Sequence, residues 1–299
     1  MVLTALIGPT GSGKSQLAMQ AARATGAAIV AIDAFTVYRG MDVGTAKPTR
    51  EEQAAVDHHM IDLLGVEEEC TVQWFQQRAR AVIADLREQE RPVLLVGGSG
   101  LYFRAVVDPL EFPPTDPDTR ARIQVEVEAD VLGGHARLQA IDPAAADRMD
   151  PSNSRRIIRA LEVIELTGRP FSSYRTAWDD HTSIYRDLTV LGTAVGPDQL
   201  RDRIAARTQR MLDRGWVEEC RSLIGRDLSS TAAQAIGYAE LMAWLATDEQ
   251  LPLAPVAERI AIRTRQFARR QRRWFAADPR VQWLDPSERP HNVITALKR

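Results

Sequence analysis

One stretch limits this chain more than any other: GPTGSGKS at residues 8–15, the pattern G-x-x-x-x-G-K-[ST]. It stands between a short apolar run, residues 2–7, and an Ala-rich segment, residues 14–24, that reads as a helix. A phosphate-binding loop needs that setting. The strand delivers it, the glycines let backbone N–H groups converge on an anion, and the helix turns its positive dipole end toward them. Lys14 supplies a point charge, and the Ser15 hydroxyl is of the kind that ligates Mg²⁺. Residues 28–32, 93–96 and 188–195 read as further buried strands, with a long amphipathic helix over 72–89. Strands alternating with helices imply parallel pairing through helical crossovers. The texture changes at FPPTDPDTR, residues 112–120, a Pro/Asp-rich breaker, after which the chain reads as helices and loops up to 187. The expected fold is therefore α/β, a P-loop NTPase-like parallel sheet flanked by helices. Residues 1–112 and 188–299 form its core, and 113–187 are a helical insertion.

The loop does not name the reaction. A kinase, a switch GTPase and a transferase acting on a diphosphate ester all use one. A guanine-reading Asn-Lys-x-Asp is absent, since the only asparagines are Asn153 and Asn292 and neither begins it. The strand at 93–96 runs into Gly97-Gly98 rather than an acid, whereas AIVAID ends in Asp33. The carboxyl ends of strands in an open α/β sheet face the ligand crevice, so Asp33 points at the site. Its residue type suits a Mg²⁺-shell carboxylate or a helix cap as well as a general base, and spacing does not choose between them.

Charge distribution adds a partner. The chain of 299 residues carries a net charge of −2, yet residues 200–299 alone sum to +6. Seven arginines fall in ERIAIRTRQFARRQRRWF, residues 258–275, and at 100° per residue they oppose an arc of Ile260, Phe267, Trp274 and Phe275. A face of one sign at this density suits a phosphate backbone. Arg155, Arg156 and Arg159 form a smaller cluster at helical spacing. His58 and His59 lack metal-spaced partners, most of the six tryptophans are assigned to the core, and two distant cysteines exclude a zinc ribbon. No apolar stretch approaches a membrane span, and the cysteine usage fits a reducing cytoplasm.

At DAFTVYRGMDVGTAKP, residues 33–48, more specific motifs begin. With GPTGSGKS before it, and HHMID, LLVGGSGLY, RRIIRALEV, LTGRP and QAIGYAEL after it, the chain resembles the tRNA dimethylallyltransferase family in its bacterial form, in family order and over nearly its whole length. The resemblance implies transfer of a dimethylallyl group from dimethylallyl diphosphate to the N6 amine of the adenosine on the 3′ side of the anticodon, with Mg²⁺, in a cytoplasmic monomer. It implies that Gly8, Pro9, Thr10, Gly11, Ser12, Gly13, Lys14 and Ser15 hold the donor diphosphate, Ser15 also touching the metal. Thr10 then meets the bridging oxygen, Arg207 clamps the diphosphate and Asp33 is the base. Transfer RNA is expected at Asp33, Ala34, Phe35, Thr36, Ser99, Arg120, Arg155, Arg156, Ile157, Ile158, Arg159, Gln234, Ala235, Ile236 and Gly237. Departures from the family pattern are Ala34 for serine, Ser99 in GGSGLY for threonine, and Ala239 after QAIGY for a basic residue. The rival readings are a small-molecule P-loop kinase, a prenyltransferase for free adenine nucleotides, and an NTP-regulated RNA-binding protein. The loop's general affinity for phosphates also predicts weak ATP binding.

Overall fold

In a computed structural model, which describes residues 2–174, 178, 180–247, 251–285 and 289–298, six parallel strands build one sheet in the order β3-β2-β4-β1-β5-β6. They are β1 (Leu3–Ile7), β2 (Ala28–Ile32), β3 (His58–His59), β4 (Val93–Gly97), β5 (Leu188–Gly192) and β6 (Val281–Trp283). The Val/Leu/Ile-rich centre is covered on both faces, as a parallel sheet requires. Alternation along each strand sorts the residues. Leu3, Ala5, Ile7, Val30 and Ile32 enter one core, while Leu6, Ile29, Leu94 and Leu191 enter the other.

The second core is closed by helix α1 (Lys14–Thr25) through Leu17, Ala18, Ala21 and Ala22, and by Val293, Ala296 and Leu297. The first core is the larger. Against it lie α3 (Val72–Glu88), whose Phe75, Ala79, Ile83 and Leu86 repeat at helical spacing, and α4 (Gly100–Val107). Before α3 comes only a short helix, α2 (Arg50–Ala55), held by a full capping box of Thr49 and Glu52. Beneath this core Asp108, fully buried, accepts from Arg104 and from Arg280, which also pairs with Asp278 at 2.7 Å.

The chain divides into two compact units, Met1–Asp108 with Ser183–Arg299, and Pro109–Thr182; the insertion, expected at 113–187, both begins and ends a few residues earlier than that. The second unit holds α5 (Pro117–Ala129), α6 (Val131–Ile141), α7 (Pro143–Ala146) and α8 (Ser154–Thr167). Its Pro/Asp texture has a local cause. Asp116, Asp130, Asp142 and Asn153 are N-caps whose side chains accept from the third helical N–H, and Pro117 and Pro143 sit at the first helical position. Ile123, Val127, Leu138, Ile157, Ile158 and Leu161 fill its core.

Two strands escape the sequence reading. β3 and β6 pair only at the sheet edges, two and three residues long, too short to show a period. The tryptophans correct an expectation too. Trp216 and Trp244 are buried, but Trp274 and Trp283 are 44% and 42% exposed. Both cysteines are free and buried, and burial pushes each thiol up to about 12. Among the described residues no helix is long and apolar enough to cross a membrane.

Candidate active site

All the strand ends that matter lie at one edge of the sheet. Loop 8–15 leaves β1, Asp33 follows β2, the Gly98-Ser99 turn follows β4 and Thr193 follows β5. Gly8, Gly11 and Gly13 take φ of 145°, 78° and 91°, which a side chain would strain. At Gly8 there is also no room, because a Cβ would lie 2.5 Å from Thr193 Oγ1. Thr193 anchors the loop from beneath through the Ser12 hydroxyl at 2.7 Å.

A cavity of about 230 Å³ opens over this edge. Thr10, Lys14, Ser15, Asp33 and Arg207 all line it. Arg207 comes from α9 (Pro197–Asp213), and α12 (Ala254–Ala276) packs beside α9 through Leu200, Ile204, Ala261 and Ala268. Lys14 folds back on its own loop, donating to the Pro9 carbonyl at 2.7 Å. Arg207 has no hydrogen-bond or ion-pair partner among the described residues, and one helical turn earlier Arg203 reaches toward Gly13. Two cations face the mouth of an amide-lined loop, neither ion-paired among the described residues and both acted on by Asp33 only through space. Burial, and then repulsion from Arg207, bring Lys14 down to about 7, opposed by Asp33. Burial lowers Arg207 as well. An anion entering here relieves both.

Asp33 is fixed by an Asx turn, its Oδ1 accepting the Phe35 N–H at 2.8 Å. Burial raises its carboxyl above the ordinary carboxylate range, against the pull of the Phe35 and Thr36 N–H groups and then of Arg207 and Lys14. Of the alternatives the sequence left open, the helix cap is eliminated: the described segment after Asp33 is a turn. Among the described residues no cluster of three or more His, Cys, Asp or Glu could hold a metal alone. Ser15 is exposed, its hydroxyl has no partner among the described residues, and it shares the cavity with Asp33. That donor set fits Mg²⁺, which takes few protein ligands and shares the phosphate oxygens of its substrate.

The remaining wall is apolar where it faces α9 and α12, with Ile204, Met211, Ile260 and Phe267. Phe35, Thr36, Ala235 and Ile236 line the same cavity. The Thr36 Oγ1 is buried without a hydrogen-bond partner, a costly arrangement unless a ligand completes it. Gly237 adopts φ 98°, and a Cβ there would strike the Trp216 ring at 2.2 Å, which explains the glycine of QAIGY. Glu219, on α10 (Trp216–Leu223), holds the nearby loop by accepting the N–H groups of Asp42, Val43 and Gly44 at 2.6, 2.7 and 3.0 Å. Tyr238, first residue of α11 (Tyr238–Leu245), donates to the same carboxylate at 2.6 Å. His58 lines the cavity but its Nδ1 is bound to the Val56 carbonyl, a structural use.

Several residues expected at the nucleic acid are engaged within the protein itself. Ile157 and Ile158 are 0% and 3% exposed within the helical unit, so their side chains serve its core. Arg159 is committed to Glu162 and the Pro113 and Pro114 carbonyls, and Arg120 to the same buried Glu162 at 3.1 Å. Arg155 and Arg156 remain exposed. Ala34 is buried, Ser99 and Ile236 are half-buried, and Gln234 is exposed with its Nε2 on the Ser230 carbonyl. On α12 the arginine face is not uniform. Arg263 pairs with Glu240 and Arg265 with Glu258, while Arg269, Arg270, Arg272 and Arg273 are exposed with no acidic partner among the described residues. Trp274 leaves the apolar arc and lies over Gly100, where a Cβ would come within 2.0 Å of the ring.

Sequence reasoning missed Gln271, which lines the cavity from the middle of the arginine run, and Glu219. Neither carries a local signal. Arg203 had one, its spacing of four from Arg207.

The family model described as IPP transferase matches residues 36–278. A tRNA dimethylallyltransferase of Pseudarthrobacter chlorophenolicus is 45% identical over 94% of this chain and 92% of its own length. One from Streptomyces coelicolor is 45% identical over 99% and 95%. Among solved structures, the tRNA isopentenylpyrophosphate transferase of Bacillus halodurans superposes with a TM-score of 0.70 at 34% identity, covering 99% of this chain and 97% of that one. A eukaryotic dimethylallyltransferase acting on tRNA gives 0.80 at 25% identity over 95% and 73%.

Proposed function

Because the chain belongs to the IPP transferase family, the tRNA dimethylallyltransferases, we propose that loop 8–15 takes dimethylallyl diphosphate and that Asp33 receives the N6 amine of the adenosine 3′ to the anticodon. The observation that carries this reading is the division of one cavity. Lys14 and Arg207, without a direct ion pair among the described residues, face the phosphate side, an apolar wall of Ile204, Met211, Ile260 and Phe267 suits a five-carbon tail, and a carboxyl of raised pKa shares the cavity.

The chemistry assigns each group one task. The C1–O bond of the donor breaks, its electron pair leaving with the diphosphate, and a C1–N6 bond forms. Lys14, Arg207 and the loop amides stabilise the charge that builds on the leaving group. The Thr10 hydroxyl meets the bridging oxygen. The adenine amine is a weak nucleophile because its lone pair is delocalised into the ring, so loss of its proton to the Asp33 carboxylate assists attack. A raised pKa makes Asp33 a stronger base than an exposed carboxylate. Mg²⁺, held by Ser15 and the phosphate oxygens, would supply further neutralisation of the diphosphate. The target base must leave its stack to reach this depth, and the partnerless Thr36 hydroxyl is available to it. Arg155 and Arg156 on the helical unit and the free arginines of α12 supply phosphate contacts, each on its own unit.

The decisive test gives the protein labelled dimethylallyl diphosphate, unmodified tRNA and Mg²⁺ without ATP. Label in acid-precipitable RNA is the expected result. A strict requirement for ATP would favour the kinase reading, and label on free adenine nucleotides but not tRNA would favour the smaller acceptor.

A further inference from the structure

Gln271 is the one uncharged polar side chain buried among the arginines of α12, 6% exposed between Arg270 and Arg272. Both ends of its carboxamide are used. The Oε1 accepts the Thr10 backbone N–H at 2.9 Å, and the Nε2 donates to the Gly98 carbonyl at 2.8 Å. One planar group thus joins the loop after β1, the turn after β4 and the helix that carries the arginine face. Gly98 is shaped to it, since a Cβ would lie 2.4 Å from Nε2.

The bond to Thr10 has a chemical consequence. Within loop 8–15 the Ser12 N–H is held from inside, donating to the Pro9 carbonyl at 3.3 Å, whereas the Thr10 N–H is taken by Gln271. The Thr10 backbone is therefore held from outside the loop, and its hydroxyl is oriented by that hold. Glutamate could accept the same N–H, but it would set a second carboxylate near the diphosphate and could not donate to Gly98. Asparagine is one methylene short of spanning both groups. The two functions needed, neutral donor and neutral acceptor at this reach, are those of glutamine.

We propose that Gln271 is a positioning residue for departure of the diphosphate: it acts through Thr10 and sets the donor loop in register with the helix that presents arginines to tRNA. The proposal rests on the donor-site reading above. It makes Gln271 invisible to ground-state binding and visible in the rate, because a misplaced hydrogen-bond donor costs most when charge develops on the leaving oxygen.

The test compares Gln271→Met, an apolar near-isostere, with wild type and Thr10→Val, and combines the two substitutions. Single-turnover transfer to tRNA should fall about 10–100-fold in Gln271→Met, the scale of a displacement near 1 Å. Binding of inorganic diphosphate and of tRNA should change less than about threefold. The double variant should be no slower than the slower single variant, because both changes remove one interaction. A wild-type rate in Gln271→Met, or fully additive losses in the double variant, would overturn the proposal. Gln271→Glu guards against a folding defect: it keeps the Thr10 bond, and it should weaken inorganic diphosphate binding while leaving tRNA binding intact. Unaltered diphosphate binding in Gln271→Glu would equally count against it. If wild type itself labels no RNA, the donor-site reading fails first, and the diphosphate measurements still report on Gln271.

Discussion

Replacing Arg269, Arg272 and Arg273 together with glutamine should flatten the salt dependence of tRNA binding without touching the donor site. The three are exposed and have no acidic partner among the described residues. At 100° per residue they fall within an arc of about 100°. Arg270 is left alone because its guanidinium lies 5.8 Å from the Phe267 ring, and Phe267 lines the cavity. Arg263 serves as control, being already paired with Glu240. Each lost phosphate contact lowers the slope of log affinity against log salt by about 0.7–0.9, so three contacts amount to about 2–3 units. Over a fourfold change in salt, these contacts cost the wild type about 20–40-fold in affinity, a loss the triple variant no longer shows. The apolar face of α12, with Ile260, Ala261, Ala268 and Phe275, is unaltered, so folding should survive. Filter binding or anisotropy with an unmodified anticodon stem-loop at four salt concentrations measures the slope, and calorimetry with inorganic diphosphate provides the control. An unchanged slope would mean that this face is merely solvated. A slope that moves equally with Arg263→Gln would refute the distinction between paired and unpaired arginines.

Asp33→Asn should retain tRNA binding and lose about 10²–10⁴-fold in single-turnover rate. Because the Asp33 carboxyl lies above its ordinary range and must be ionised to accept a proton, kcat/KM should fall as pH falls through that raised value, nearer neutrality than an exposed carboxylate would set it; a profile flat down to the ordinary carboxylate range would contradict the assignment. Asp108→Ala removes the buried carboxylate that Arg104 and Arg280 share and should cost about 3–5 kcal/mol in urea unfolding, whereas Glu126→Ala, which breaks exposed pairs with Arg122 and Arg137, should cost under about 1 kcal/mol. Cys70 and Cys220, buried with thiols pushed up to about 12, should resist iodoacetamide at pH 8 and react only on unfolding.

The parts of this protein legible in its sequence are those whose physics is local. Loop 8–15 announces itself because convergent amides require glycines at fixed intervals, and three of them do take positive φ. The central strands are legible as short apolar runs, and the helix over 72–88 as a repeat of buried positions. Asp33 was placed at the site by the rule that strand ends face the crevice, but its freedom from a capping role needed the turn that follows it.

What tertiary structure alone decided lies in contacts between distant residues. Thr10 and Gln271 are 261 positions apart, and nothing near either reports the bond between them. In the arginine run, sequence supplied the sign of the charge, but only the fold showed that Glu240 and Glu258 occupy two of the seven. Trp274 sits on the arc that helical periodicity assigns to the core, yet the fold leaves it exposed over Gly100. The helical cluster shows the same division, with Arg159 drawn to a buried Glu162 and Ile158 into the core, while Arg155 and Arg156 stay outside. Periodicity fixes which residues share a face. It carries no information about what that face meets, because the partner arrives from another part of the chain and the free energy of meeting it is settled by packing.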